Sequence, residues 1–205
     1  MTEDVVEASK VSSGNISLEY MDLDLSEMIQ QTQGELEEKF EARNLAIVTD
    51  LPAEPVVVHV DGRRMWRVLE NIYGNAAKYA MPGTRVYATL KTDDTKVRFS
   101  LKNVSEHQLN IQADELTERF IRGDISRSTE GSGLGLSIAK SLTTMQGGTF
   151  DLYLDGDLFR VDITFPRVKA KGCFNGLGEI PNSCRPIFST FIATLPSRYL
   201  RSRRI

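Results

Sequence analysis

Cysteine is scarce: Cys173 and Cys184 are the two among 205 residues. Two cannot build a disulfide framework, so a reducing compartment is expected. Long apolar runs are missing too, none approaching the roughly 18 residues of a membrane span. The start, MTEDVVEASK, is too acidic for a signal peptide. Nor is there an excess of one charge. With 25 Lys+Arg against 28 Asp+Glu the formal charge is −3, which gives no general electrostatic reason to expect a nucleic-acid or membrane partner. What is present, 40% hydrophobic and 26% charged residues, is ample for one ordinary core and short for two full domains. A cytosolic globular protein is the expectation.

The small net charge is a cancellation. Residues 168–205 hold seven Lys+Arg and one acid, so they carry +6 and residues 1–167 carry −9. Both cysteines lie in this stretch with Pro181, Pro186 and Pro196, and it ends in RYLRSRRI. It follows neither the helical nor the strand period. It reads as a loosely ordered basic extension; a structured appendage and a basic nucleic-acid or membrane arm are the competing readings. Cys173 and Cys184 have no nearby His with which to form a zinc site.

The body alternates between two periods. Ser26 is placed to cap a helix reaching about Arg43, with Ile29, Leu36 and Phe40 on one side. Two β-rich runs follow, Leu45–Thr49 and Val56–Val60. Asp61 caps a second helix to about Ala80, ended by Met81-Pro82-Gly83. Arg85–Lys91 and Lys96–Lys102 alternate apolar and polar residues as half-buried strands do. A short helix over Asp114–Phe120, a helix over Ser137–Met145 and a closing hairpin, Thr149–Leu154 with Leu158–Phe165 around Asp155-Gly156, complete the pattern. This predicts a two-layer α/β sandwich: one mixed, mostly antiparallel sheet with helices on one face.

Chemistry concentrates in two segments. In NIYGNAAKYA, residues 71–80, helical geometry puts Asn71, Asn75 and Lys78 within about 60° of one another. Met65, Leu69, Ile72 and Ala76 form the neighbouring apolar stripe. Amide oxygens are hard, neutral ligands that suit Mg²⁺, which takes its other oxygens from water and phosphate. Lys78 can meet phosphate charge. Taken alone, the same stripe is also what a solvated helix side looks like. In GSGLGL, residues 131–136, alternate glycines let backbone N–H groups approach a ligand, and the next helix offers its N-terminus to an anion. The pattern is neither GxxxxGK[ST] nor GxGxxG, and by itself a Gly-rich turn is also an ordinary loop. The two segments together, in this order, point to a nucleotide site.

Here the sequence resembles a known family. NIYGNAAKYA resembles the N box of sensor histidine kinases, EGSGLGLSIAKSL their G2 box, and ELTERFIRGDISRS, between them, their F box and ATP lid. The likeness covers roughly residues 23–166 and implies the Bergerat-type ATP fold shared with gyrase, mismatch-repair and Hsp90-type ATPases. Residues 2–16 resemble the end of a second dimerisation helix and its linker. The expected organisation is therefore a truncated helix end and linker over 1–22, an ATP-binding catalytic domain over 23–167, and the basic tail over 168–205.

The resemblance implies roles residue by residue. Asn75 matches the asparagine that holds Mg²⁺, with Asn71 one turn before it. Lys78 and Tyr79 match the pair that contacts phosphates and the outer face of the nucleotide. Gly131, Gly133 and Gly135, with Leu134 and Leu136, match the loop that closes over the phosphates. Phe120 matches the aromatic that anchors the lid, and Arg119 and Arg122 flank it within reach of the γ-phosphate. Two departures stand out. The family's D-x-G-x-G box, whose Asp accepts from the adenine amino group, is replaced by Lys102-Asn103-Val104-Ser105. Asn103 can both accept and donate there. A subset of histidine kinases has a similar Asn-x-Ser variant followed by ELTERF. In addition, only His59 and His107 are present, and neither lies in an acid-flanked dimerisation helix like the family's phospho-accepting one, so the chain reads as N-terminally truncated.

The function implied is binding of Mg·ATP and transfer of its γ-phosphate to a histidine on a dimerisation helix, then to a response regulator receiver domain. The full-length parent would be a homodimer, cytoplasmic or anchored in the plasma membrane, with no nucleic-acid partner. One alternative is a non-catalytic nucleotide-binding module, a pseudokinase or anti-sigma-like regulator. The other is a gyrase- or chaperone-type ATPase. Those hydrolases carry a Glu four residues before the Mg²⁺-binding Asn, where this chain has Asn71, which is no base at neutral pH.

Overall fold

The computed structural model describes residues 17–107 and 135–168. Their elements run β1 (Tyr20–Asp24), α1 (Leu25–Glu41), β2 (Ala46–Asp50), β3 (Val57–Asp61), α2 (Gly62–Tyr79), β4 (Arg85–Thr92), β5 (Lys96–Val104), α3 (Gly135–Met145), β6 (Thr149–Asp155) and β7 (Leu158–Pro166). Five strands form one sheet in the order β2-β4-β5-β7-β6. β2 lies parallel to β4 and the other pairs are antiparallel. The parallel pair requires a crossover, which β3 and α2 supply. β1 and β3 form a separate antiparallel ribbon. The mixed, mostly antiparallel sheet with helices on one face is the predicted two-layer α/β sandwich. The expected helix over Asp114–Phe120, the stretch 1–16 and the basic tail from residue 169 lie outside the described residues.

Strand alternation sorts the sheet. Val86, Ala88 and Leu90 on β4, Val97, Phe99 and Leu101 on β5, and Phe159, Val161, Ile163 and Phe165 on β7 turn to the helix layer and are buried. From the other side Met65, Leu69, Ile72 and Ala76 of α2 meet them, buried as their spacing predicts. Tyr73 joins the layers. Its ring packs edge-on to Phe40 of α1 at 6.3 Å and tilted against Phe99 of β5 at 6.0 Å. Burial raises its hydroxyl pKa, and Gln33 Nε2 donates to it at 2.7 Å.

Three local readings need correction. Asp24, not Ser26, caps α1: its Oδ1 accepts from Ser26 N at 2.9 Å and from Val56 N at 3.1 Å. One carboxylate thus satisfies an orphan helix amide and fixes the approach to β3, while Ser26 Oγ is buried with no partner among the described residues. Strand β1 was not expected, because of its residues only Leu23 is buried and no alternation shows. The closing hairpin turns at Gly156-Asp157, one residue later than expected, with Gly156 at φ 58°.

Candidate functional site

The site is assembled around the C-terminal half of α2. Asp61 starts the helix as expected. Its Oδ1 accepts from Arg64 N at 3.0 Å, its Oδ2 from Glu19 N at 2.9 Å, and its own N–H donates to Gln146 Oε1 at 2.9 Å. A cap of this kind contributes about 1 kcal/mol. The bond to Gln146, just past the end of α3, also fixes α2 relative to α3.

At its other end α2 is stitched to β5. Glu106 N donates to Tyr79 O at 2.9 Å, Met81 N donates to Val104 O at 2.9 Å, and Ala80 bridges Ser105. Arg43 completes the seam: its guanidinium donates to Lys78 O and Ala80 O and pairs with Glu106. These contacts hold Lys78 and Tyr79 at the end of the strand that carries Asn103. The Lys78 ammonium lies 5.0 Å from the centroid of the Tyr79 ring. Sequence reasoning missed Arg43 and Glu106. Both lie far in sequence from the segment they brace, and neither belongs to a motif.

Asn103 is buried on the inner face of the sheet at 3% exposure, with Nδ2 donating to Val104 O at 3.1 Å. It is the polar interruption in β5's row of inward Val97, Phe99 and Leu101. Asn71 faces the start of α3: a methyl added to Gly135 would sit 3.1 Å from Asn71 Oδ1. Any side chain there would push the Asn71 amide aside by a few tenths of an ångström. Asn71 Nδ2 is buried and has no hydrogen-bond partner among the described residues, a cost of about 1–3 kcal/mol unless a ligand satisfies it. Asn75 is half-buried one turn further on, and Leu136 is buried behind Gly135. So Asn71, Asn75, Lys78, Tyr79, Asn103, Gly135 and Leu136 lie on three elements packed at one end of the helix layer. Arg119, Phe120, Arg122, Gly131, Gly133 and Leu134 lie outside the described residues.

This geometry bears on the cofactor. Among the described residues no three His, Cys, Asp or Glu side chains cluster to hold a metal. A cation at this end would be ligated by neutral amide oxygens together with the phosphates of its nucleotide, a donor set that fits Mg²⁺. The histidines stand apart from it. His59 on β3 pairs with Asp22 at 2.7 Å and stacks on Tyr20 at 5.4 Å, and His107 is exposed in the loop after β5.

The profile of the family described as histidine kinase-, DNA gyrase B-, and HSP90-like ATPase matches residues 60–196. The chain belongs to this ATPase family. Relatives similar to it include sensor kinases. The adaptive-response sensory kinase SasA of Synechococcus elongatus is 26% identical over 149 residues, which cover 72% of this chain and 38% of SasA. The nucleotide-free catalytic domain of histidine kinase ThkA is 25% identical with a TM-score of 0.63, covering 73% of this chain and 96% of that domain. Full-length ShkA in complex with AMPPNP shares the fold at 22% identity and a TM-score of 0.67, over 82% of this chain and 35% of ShkA. The chain spans 22–38% of the length of SasA and three further curated relatives. It is thus the ATP-binding domain of the sensor-kinase type. Among its described residues no helix is long and apolar enough to cross a membrane.

Proposed function

We propose that this histidine kinase-like ATPase domain binds Mg·ATP and donates its γ-phosphoryl group to a histidine of a dimerisation helix, from which it passes to an aspartate of a response regulator. The observation that carries the reading is the buried Asn71 amide beside Gly135, where the N-box helix and the G2 helix meet: its Nδ2 has no partner among the described residues and is a donor for a nucleotide oxygen. In this reading Asn75 and Asn71 would hold Mg²⁺ through their amide oxygens, and the ion would supply charge neutralisation at the phosphates. Lys78 supplies fixed positive charge, Tyr79 covers the outer face of the nucleotide, and Asn103 reads the adenine edge through its amide. Gly131, Gly133, Gly135, Leu134 and Leu136 close over the phosphates. Phe120 anchors the lid, and Arg119 and Arg122 reach the γ-phosphate.

The transfer is an in-line displacement. The imidazole nitrogen forms a bond to γ-phosphorus as the bond to the β,γ-bridging oxygen breaks, and ADP leaves with that electron pair. The acceptor helix supplies the nucleophile, so this domain contributes positioning and electrostatics. The domain division follows the same reading: helix end and linker over 1–22, catalytic domain over 23–167, basic tail over 168–205. The complete kinase works as a homodimer at the cytoplasmic side of the membrane or in the cytoplasm.

The test mixes the chain with a separate dimerisation-helix protein bearing the acceptor histidine and with γ-labelled ATP. Label should pass to that histidine, and Asn75→Ala should abolish both Mg²⁺-dependent ATP binding and transfer. Nucleotide binding without transfer would favour the regulatory-module alternative, and absence of binding would overturn the reading.

A further inference from the structure

The five-stranded sheet has a second face that the nucleotide site does not use. Across it the register aligns Val48, Tyr87, Lys102, Arg160 and Tyr153, one residue from each strand in spatial order. The Lys102 ammonium lies 5.3 Å from the Tyr87 ring centroid and the Arg160 guanidinium 4.0 Å from that of Tyr153. Each ring thus shares one face with a cation of this chain, while Tyr87 and Tyr153 remain exposed.

The charge on this face is organised in bands. The adjacent central strands β4 and β5 turn Arg85, Lys91, Arg98 and Lys102 outward, all exposed, and neither strand contains an acid. No ion pair joins any of these four to an acid among the described residues. The flanks are acidic: Asp50 on β2 at one edge, Asp151 and Asp155 on β6 at the other. Asp162 on β7 is buried beneath Arg160, 3.3 Å from its Nε. The band of unpaired cations is two strands wide, about 10 Å, within a body whose formal charge is −9.

We propose that this outer sheet face is a docking site for an acidic peptide segment of a partner protein, lying along β4 and β5. Width and charge together select this occupant. A lipid surface or a nucleic-acid duplex is broader than the band and would meet the acidic edges on both sides. A single strand that binds by stacking needs successive open aromatic faces, and here the two rings stand on β4 and β6 with a cation over each. A narrow acidic segment crossing the band meets cations from both strands and no acid within either. Lys102 and Arg160 are held in place over their rings before the partner arrives, which lowers the ordering cost of binding.

The experiment uses the full chain and a fluorescein-labelled poly-glutamate peptide, read by anisotropy at low and at physiological salt. The chain should bind with salt-sensitive affinity, and Lys91→Ser/Arg98→Ser, which removes a facing pair on β4 and β5, should weaken binding about tenfold while ATP binding and thermal melting stay unchanged. Any contribution of the basic residues 168–205 is common to both proteins and cancels in the ratio. Arg85→Ser/Lys91→Ser should give a similar loss, which covers the case in which the first variant folds poorly. Affinities within about twofold of the parent in both variants would overturn the proposal. So would stronger, equally variant-sensitive binding of oligothymidylate or phosphatidylserine vesicles, or self-association of the parent that the variants abolish without peptide.

Discussion

The two faces of the five-stranded sheet come from the same strands and the same alternation, and they differ most where each breaks its own rule. Inward positions on β4, β5 and β7 are aliphatic or aromatic, and their strand neighbours face solvent as Arg, Lys, Tyr and Thr. The inner face admits one buried amide, Asn103, at the end where α2 and α3 converge. The outer face buries one carboxylate, Asp162, under a guanidinium. Regular positions maintain the fold, whereas the exceptions stand where a polar partner must be met. A buried polar group costs stability unless something satisfies it, so the inner exception is the informative one.

The contrast can be broken at two adjacent residues. Phe99 is fully buried against Tyr73, and Arg98 beside it is exposed on the opposite face. Phe99→Ala should lower stability by about 3–5 kcal/mol, and Arg98→Ser should stay within about 0.5 kcal/mol. Urea titration of both variants reads the difference. Similar losses would mean that the outer face is packed against something and is not a free surface.

That asymmetry was legible because it is local. Val86, Ala88 and Leu90 announce a half-buried strand, and Met65, Leu69, Ile72 and Ala76 announce the buried stripe of α2, without any knowledge of their partners. What depends on partners was not. The parallel pairing of β2 with β4 is made across the β3–α2 crossover, and no residue in Ala46–Asp50 encodes it. Strand β1 is held by pairing with β3 and by the carboxylate of Asp61, and its own sequence, YMDLD, has no usable period. The cap of α1 was misplaced because Asp24 and Ser26 are both good cap residues, and the choice between them is made by Val56, thirty-two residues on. For the site, the motif residues could be named but not their bracing. Arg43 and Glu106 act on the backbone of Lys78 to Ala80, and backbone contacts leave no trace in residue type.

Asn103 sharpens the comparison, because an apolar residue there would make the inner face uniform. Asn103→Leu loses the bond to Val104 O and gains apolar burial, so stability should change by no more than about 1 kcal/mol. Under the proposed function, ATP affinity should fall at least about tenfold and preference over GTP should vanish, since a pocket that reads adenine by hydrogen bonding loses that discrimination with the amide. Parallel calorimetry of unfolding and of nucleotide binding separates the two effects. Unchanged ATP affinity would remove Asn103 from base recognition.

The smallest effect lies on the solvent side of the helix layer, where acids crowd as cations do on the outer sheet face. Burial, and secondarily the charge of Glu70, hold the Glu35 carboxyl above its ordinary value of 4.5. Glu70 is itself paired with Arg67 at 2.7 Å. With its pKa higher in the folded than in the unfolded chain, Glu35 binds its proton more tightly when folded. Its contribution is therefore most favourable below the unfolded pKa and is lost as pH rises through the folded one. Glu35→Gln should accordingly raise the urea midpoint at pH 7 and leave it nearly unchanged near pH 4. Most of the carboxyl is still solvated and screened, which limits the gain to below about 0.5 kcal/mol. Added salt should shrink the gain by damping the repulsion from Glu70, and leave the part due to burial. A gain of the same size at both pH values would assign the effect to packing of the amide, and the charge contrast between the two solvent-facing surfaces would then have no energetic counterpart at this position.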